Sequence, residues 1–149
     1  MIGALDPDEI ERLLRTQHIG RLGVLADGRV YVFPVAYGYD GASINIHSHE
    51  GLKVRAMRAY PEACFEVEEI ISPANWRTVI AHGRFEELTG ESDRDAALAL
   101  IAAQGQTPFP PSAAPYAEGA DHLIVFRLHL TEKTGRYERD EVFPQRLLH

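Results

Sequence analysis

The stretch HIGRLGVLADGRVYVFPVAYGYDGASINIH, His18 to His47, alternates apolar and polar residues over much of its length and is interrupted twice by Asp-Gly. A period of two places successive side chains on opposite faces of a strand, and Asp-Gly tolerates the positive φ that tight hairpin turns require. The pattern predicts strands over His18 to Leu25 and Val30 to Tyr39 joined at Asp27-Gly28, with Asp40-Gly41 turning the chain into a third strand, Ser43 to His47. Three consecutive strands would form an antiparallel meander. Hairpin links leave no crossover helices for a parallel sheet, so a doubly wound architecture is disfavoured.

Working outward, Asp6-Pro7-Asp8-Glu9 reads as a helix start, with Asp6 as N-cap, Pro7 at the first helical position and Glu9 closing a capping box; Ile10, Leu13 and Leu14 give that helix one apolar face. A short helix follows Gly51 and stops before Pro61, because Tyr60 as the pre-proline residue disfavours helical dihedrals. Ala63 to Val67 and Arg77 to Leu88 read as strands flanking a loop with Pro73, and Gly83 marks a bend or bulge in the second. Ser92 and Asp95 frame a helix reaching about Gln104, with Ala97, Leu98, Leu100 and Ile101 as its stripe. Thr107 to Tyr116 is too rich in proline to extend it. His122 to Leu130 returns as a strand, and Gly135 reads as the turn before a polar tail. The fold class expected is mainly β (α+β), an antiparallel barrel with a few flanking helices, in a single domain spanning residues 1–149.

Composition narrows the function. The chain is 45% apolar and 25% charged, and no run approaches the ~18 apolar residues of a membrane span. A net charge of −7 opposes general nucleic-acid binding while leaving room for a local basic pocket. The N-terminal residues lack the basic and apolar blocks of a secretory signal, and Cys64 is the lone cysteine, so a cytoplasmic location is expected. Cys64 itself reads as core, flanked by Ala63 and Phe65.

The chemistry gathers where the third strand hands over to the second helix, S-I-N-I-H-S-H-E-G-L-K, Ser43 to Lys53. Ile44 and Ile46 share one strand face, Asn45 and His47 the other. A helix N-terminus carries unpaired N–H groups and partial positive charge; with the Ser48 hydroxyl, the Lys53 ammonium and the small Gly51 beside it, the junction suits a phosphate group. The plainer alternative is a solvated strand-to-helix junction. His47 and His49 are spaced to face one metal, but no third ligand has convincing spacing, so no metal site is assigned. Glu66, Glu68 and Glu69 read as a solvated strand end, and no acidic pair for proton transfer is identifiable. Pro34 implies an edge or bulge in its strand. Trp76 and Arg77 offer an aromatic surface and a cation at the start of the long strand.

Four blocks in order carry a resemblance: Pro34-Val35-Ala36-Tyr37, H-S-H-E-G-L-K at His47 to Lys53, P-E-A-C-F-E-V-E at Pro61 to Glu68, and N-W-R-T-V-I-A-H-G-R-F-E-E-L at Asn75 to Leu88. Together they resemble the FMN-binding split β-barrels of the pyridoxamine 5′-phosphate oxidase-like superfamily, in the branch related to nitroimidazole-resistance proteins. The resemblance implies a homodimer with FMN in two clefts between subunits. Phe33, Pro34, Val35, Ala36 and Tyr37 would run beside the flavin ring and ribityl chain, and His47, Ser48 and Lys53 would hold the phosphate. Trp76, Arg77 and Thr78 would complete the cleft from the partner chain, Thr78 standing where relatives commonly have serine. The implied activity is an FMN-dependent oxidoreductase acting on a small molecule. Leu52 occupies a place where some nitroimidazole-resistance relatives carry histidine, and leucine cannot transfer a proton, which argues against drug reduction. The short chain offers no counterpart to the substrate-phosphate site of pyridoxamine phosphate oxidation. Deazaflavin or haem in place of FMN, and a non-catalytic storage or sensing role, stay open at this point.

Overall fold

The computed structural model describes residues 1–105 and 123–140. Its elements in chain order are β1 (Ile2–Ala4), α1 (Pro7–Thr16), β2 (Ile19–Ala26), β3 (Arg29–Ala36), β4 (Gly38–Tyr39), β5 (Ser43–His49), α2 (Leu52–Ala59), β6 (Glu62–Ser72), β7 (Asn75–Leu88), α3 (Glu91–Gly105) and β8 (Leu123–Glu138). The sheet runs β3-β2-β6-β7-β8-β5-β4, with β1 added on β8, and the strand pairs are antiparallel. Strands β3 and β4 lie at opposite ends of this path and yet are separated in the chain by Tyr37 alone. The sheet must therefore curl until its ends approach, which makes an antiparallel split barrel, in agreement with the expected fold class.

That closure corrects the expected meander. β5 pairs with β4 and β8 rather than with β3. The expected strand Val30 to Tyr39 is two strands, divided where the fully buried Tyr37 donates its hydroxyl to Leu14 O at 2.7 Å and packs edge-on against Phe65 at 4.8 Å. The β2–β3 hairpin does turn at Asp27-Gly28, with φ of 52° and 74°. Asp6 caps α1 through the Glu9 N–H at 2.9 Å, as expected, and α2 ends at Ala59 before Tyr60-Pro61. α3 starts at Glu91, so Ser92 lies inside its first turn instead of ahead of it.

Gly135 is not a turn. β8 continues to Glu138, and Gly135 sits inside it opposite Val79 because a Cβ there would come within 2.8 Å of Leu5, whose N–H bonds Gly135 O at 2.9 Å. The residue permits the β1–α1 connection to press on the sheet. At Gly83 the register with β8 does shift, as a bulge. The expected strand Ala63 to Val67 is the middle of a longer one that reaches Ser72. Thr107 to Tyr116, His122 and the polar tail past Asp140 lie outside the described residues.

Inside the barrel, Leu22, Phe65, Val67, Val79, Phe126 and the α1 residues Leu13 and Leu14 are fully buried. Burial of an aliphatic or aromatic side chain contributes ~1.5–3 kcal/mol, so this cluster supplies much of the driving force for folding. β5 is covered on both faces. Asn45, on the face opposite Ile44 and Ile46 as expected, is nevertheless fully buried because α3 packs over β4 and β5. Its amide donates to Gly38 O at 3.1 Å and accepts from Arg127 Nε at 3.0 Å, which satisfies it in the interior. No helix among the described residues is long and apolar enough to cross a membrane.

Candidate functional site

The edge position of β3 explains how a strand accommodates Pro34, since only one side of β3 has a ladder partner. Across from that edge, β5 ends and α2 begins. Between them lies a cleft of about 290 Å³ lined by Pro34, Val35, Ala36, His47, Ser48, His49 and Lys53. Gly51 is the N-cap of α2 and, having no side chain, makes no capping hydrogen bond to the first N–H groups of the helix. The backbone of Gly51 is fully extended, a conformation open to any residue, so its contribution is the missing side chain.

Lys53 Nζ donates to Ser48 Oγ at 2.9 Å and sits 5.3 Å from the Phe33 ring centroid. Ser48 Oγ in turn donates to His49 O at 3.0 Å. Lys53 has no carboxylate partner among the described residues, so its charge is balanced only by a hydroxyl and a π-face. Burial, and after it the neighbouring His49, lowers the pKa of His47 below its ordinary 6.5, so this imidazole is neutral at pH 7. A neutral imidazole, a hydroxyl, an ammonium and helix N–H groups form a donor set of anion-binding character.

Of the sequence-predicted residues, this cleft gathers Pro34, Val35, Ala36, His47, Ser48 and Lys53, with Phe33 half-buried under the Lys53 ammonium. Tyr37 sits at the end of the same segment with its side chain turned into the core. Trp76, Arg77 and Thr78 are elsewhere, in a separate cleft of about 340 Å³ shared with Glu66, Glu68 and Ile70 on the outer face of β6 and β7. There Trp76 Nε1 donates to Glu138 Oε2 at 3.0 Å, Arg77 pairs with Glu69 at 3.1 Å, and Thr78 Oγ1 donates to Glu66 Oε2 at 2.8 Å.

This second cleft contains a carboxyl pair that the sequence reading took for a solvated strand end. Glu66 and Glu68 project from the same face of β6, and Arg21 of β2 donates to Glu68 Oε1 at 2.9 Å, while Glu68 Oε2 is buried. Burial first, and then the bond shared with Glu68, pushes the Glu66 pKa from 4.5 up to about 7; Thr78 and Arg21 pull the other way. One of the two carboxyls therefore carries a proton near neutrality. The signal available in sequence was E-V-E inside a strand, which puts both acids on one face, but only the fold brings Arg21 and Thr78 to them. Cys64 belongs to this outer face too, half-buried rather than in the core, with its thiol pKa raised by burial and by Glu66. Among the described residues no three His, Cys, Asp or Glu side chains group as metal ligands.

The family model for pyridoxamine 5′-phosphate oxidase matches residues 6–137. An uncharacterized protein of Rhizobium meliloti (strain 1021) is 25% identical over 142 residues, covering 91% of this chain and 94% of its own. Among solved structures, an FAD-binding protein from Mesorhizobium loti superposes with a TM-score of 0.76 at 26% identity, over 94% of this chain and 98% of that one. A Bacteroides thetaiotaomicron protein named for 5-nitroimidazole antibiotic resistance gives a TM-score of 0.76 at 18% identity, covering 95% of this chain and 92% of its own, a likeness of fold. The match from the capping Asp6 to Tyr137 near the end of β8 takes in the barrel and both clefts, and by it the chain belongs to the pyridoxamine 5′-phosphate oxidase family.

Proposed function

We propose that this protein is a homodimeric flavoprotein that holds FMN, or the FMN portion of a larger flavin, with its phosphate between Ser48 and Lys53. The observation that carries the reading is the Lys53 ammonium, poised on a hydroxyl at the N-terminus of α2, where Gly51 offers no capping side chain, with no carboxylate among the described residues to neutralise it. In this assignment Ser48, Lys53 and the first N–H groups of α2 bind the phosphate oxygens, and neutral His47 donates a further hydrogen bond. The free edge of β3 from Pro34 to Ala36 orients the ring and keeps water from one side of it. Bound flavin supplies the redox chemistry, and the activity is an oxidoreductase on a small molecule. The Mesorhizobium loti neighbour, described as FAD-binding, supports flavin as the cofactor class.

Dimerisation completes the site in this reading. The outer face of β3, β2, β6 and β7 carries Val30, Val32 and Ile70, which are 74%, 64% and 67% exposed, beside the Trp76–Thr78 cleft. An exposed apolar face of this kind marks an interaction surface. A two-fold pairing over it would set the Trp76, Arg77 and Thr78 of one subunit against the Pro34–Lys53 cleft of the other. Purified protein is expected to bind FMN with a dimer's mass by light scattering, and Lys53→Ala to weaken that binding about tenfold. A Lys53→Ala variant that binds FMN as tightly as the parent would remove the phosphate from this cleft. Reduction of the bound flavin by NADH or NADPH tests the oxidoreductase assignment.

A further inference from the structure

Glu66 and Glu68 both line the second cleft, and their neighbours treat them differently. Arg21 holds Glu68 in an ion pair at 2.9 Å, and Glu68 Oε2 is buried without an N–H or O–H partner. Glu66 forms no ion pair among the described residues; its Oε2 accepts from Thr78 Oγ1 at 2.8 Å, and it is hydrogen-bonded to Glu68. Two carboxylates cannot share a hydrogen bond unless one carries a proton. Arg21 favours charge on Glu68, so the proton belongs to Glu66.

The strand registers show what surrounds that proton. Arg21 of β2 stands opposite Glu66, which in turn stands opposite the apolar Ile80 of β7; Thr78 stands opposite Glu68, and Trp76 opposite Ile70. The charged or titratable groups facing Glu66 on this side of the sheet are Cys64 and Glu68 of β6 and Arg21 of β2, with Arg136 of β8 one strand further, opposite Thr78. Trp76 Nε1 is committed to Glu138, and the Arg77 guanidinium is paired with Glu69. Glu66 is therefore the group of this cleft that gives up and regains a proton near neutrality, and it does so in a cavity large enough for a small molecule, about 340 Å³.

We infer that Glu66 is the general acid of the flavin site, the catalytic residue that protonates the substrate, with Glu68 and Arg21 as its positioning residues. The inference rests on the flavin reading and on the two-fold pairing proposed above, which sets the Trp76–Thr78 cleft of one subunit against the flavin held by the other. The substrate class it fits is a small molecule with a polarised double bond, such as a quinone or an unsaturated carbonyl compound. In its reduction the conjugated system takes an electron pair and one hydrogen from the reduced flavin and a proton from Glu66. It ends with two hydrogens added, and the flavin ends oxidised, to be reduced again by NADH or NADPH. The Glu66 carboxylate left behind keeps the Thr78 hydrogen bond and recovers its proton from water in the open cleft.

The test compares two acceptors. Protein loaded with FMN and reduced with dithionite is mixed with menadione, which takes up protons along with electrons, and separately with ferricyanide, which takes up electrons alone. The ratio of the menadione rate to the ferricyanide rate is expected to fall about a hundredfold in Glu66→Gln, the ordinary worth of a general acid, and to recover in part in Glu66→Asp. Glu62→Gln removes an exposed acid of the same strand, paired with Arg84, and is expected to leave the ratio within about twofold of the parent's. The parent's ratio is expected to decline as pH rises through about 7. In flavin-free protein with isotope-labelled glutamate carboxyls, the NMR signal that Glu66→Gln deletes is expected to titrate at about 7 as well. The parent's pH profile decides the matter even where a variant fails to fold. An equal ratio in Glu66→Gln, a parent ratio that is flat with pH, or a Glu66 signal that titrates like an ordinary glutamate would overturn the inference and leave flavin binding intact. Failure to bind FMN would overturn the functional reading and this inference with it.

Discussion

The cleft at the start of α2 and the cleft between β6 and β7 are similar in size, about 290 and 340 Å³, and opposite in electrostatic plan. In the first, the Lys53 ammonium leans on a hydroxyl and an aromatic ring. In the second, the cations are spoken for: Arg77 by Glu69, Arg21 by Glu68, with Glu66 left over as an acid in excess. In a chain of net charge −7, the proposed selectivity for an anion would come from one cation left without an acid among the described residues rather than from an abundance of basic residues. The neutralised cleft is suited to aromatic and hydrogen-bonding contacts instead, which is what a partner's flavin ring would ask of Trp76 and Thr78.

The sharpest way to break this contrast is to change one cation in each cleft. Lys53→Glu is expected to lower FMN affinity at least about a hundredfold, since it removes an attraction and adds a repulsion at the phosphate. Arg77→Met removes a cation already paired with Glu69 and is expected to cost less than about tenfold. Comparable losses from the two variants, measured by FMN titration, would mean that the second cleft also binds the phosphate.

A smaller effect separates the clefts by pH. The folded protein holds the Glu66 proton more tightly than the unfolded chain does, with a pKa of about 7 against 4.5. Its contribution to stability is therefore complete below pH 4.5, declines as pH rises toward 7, and is gone above that. Because Glu66 is only partly buried, solvent screening cuts the loss to about 1–2 kcal/mol. Urea midpoints are expected to fall between pH 5 and 8 in the parent and to stay level in Glu66→Gln. An equal decline in the variant would assign the pH dependence to another group. His47 acts in the opposite sense: its pKa is depressed, so its burial costs stability only as pH falls and the imidazole must charge. Phosphate bound in the first cleft, as proposed, would favour the charged imidazole and reduce that cost.

How much of this was legible in the sequence depends on whether a feature is local. The Asp6 cap, the Asp27-Gly28 hairpin and the arrest of α2 before Pro61 are fixed by residues within a few positions of each other, and each appears where the pattern put it. The cleft at Ser48 and Lys53 was legible for the same reason, being built across one strand-to-helix junction. What the pattern missed is long-range. Gly135 resembled a turn because its close neighbour, Leu5, is more than a hundred residues away in the chain. The burial of Asn45 was not legible because the helix that covers it, α3, is more than forty residues downstream. The Glu66–Glu68 pair acquires its chemistry from Arg21 and Thr78, on two other strands. Alternation tells which face a side chain is on and is silent about what covers that face.

The finest test of the contrast concerns a single hydroxyl. Thr78 Oγ1 lies 2.8 Å from Glu66 Oε2 and 3.3 Å from Val67 O, and its bond to the carboxylate draws the Glu66 pKa down against burial. Thr78→Val keeps the shape of the side chain and removes that donor, so the ionised carboxylate loses a partner while the protonated form loses less. The variant is expected to be destabilised by about 0.5–1 kcal/mol at pH 8 and by less at pH 5, with the midpoint of its pH transition moved upward. Thr78→Ser keeps the hydroxyl and is expected to follow the parent curve. A valine variant with an unshifted transition would mean that Thr78 spends its proton on Val67 O, leaving Glu66 governed by burial, Glu68 and Arg21.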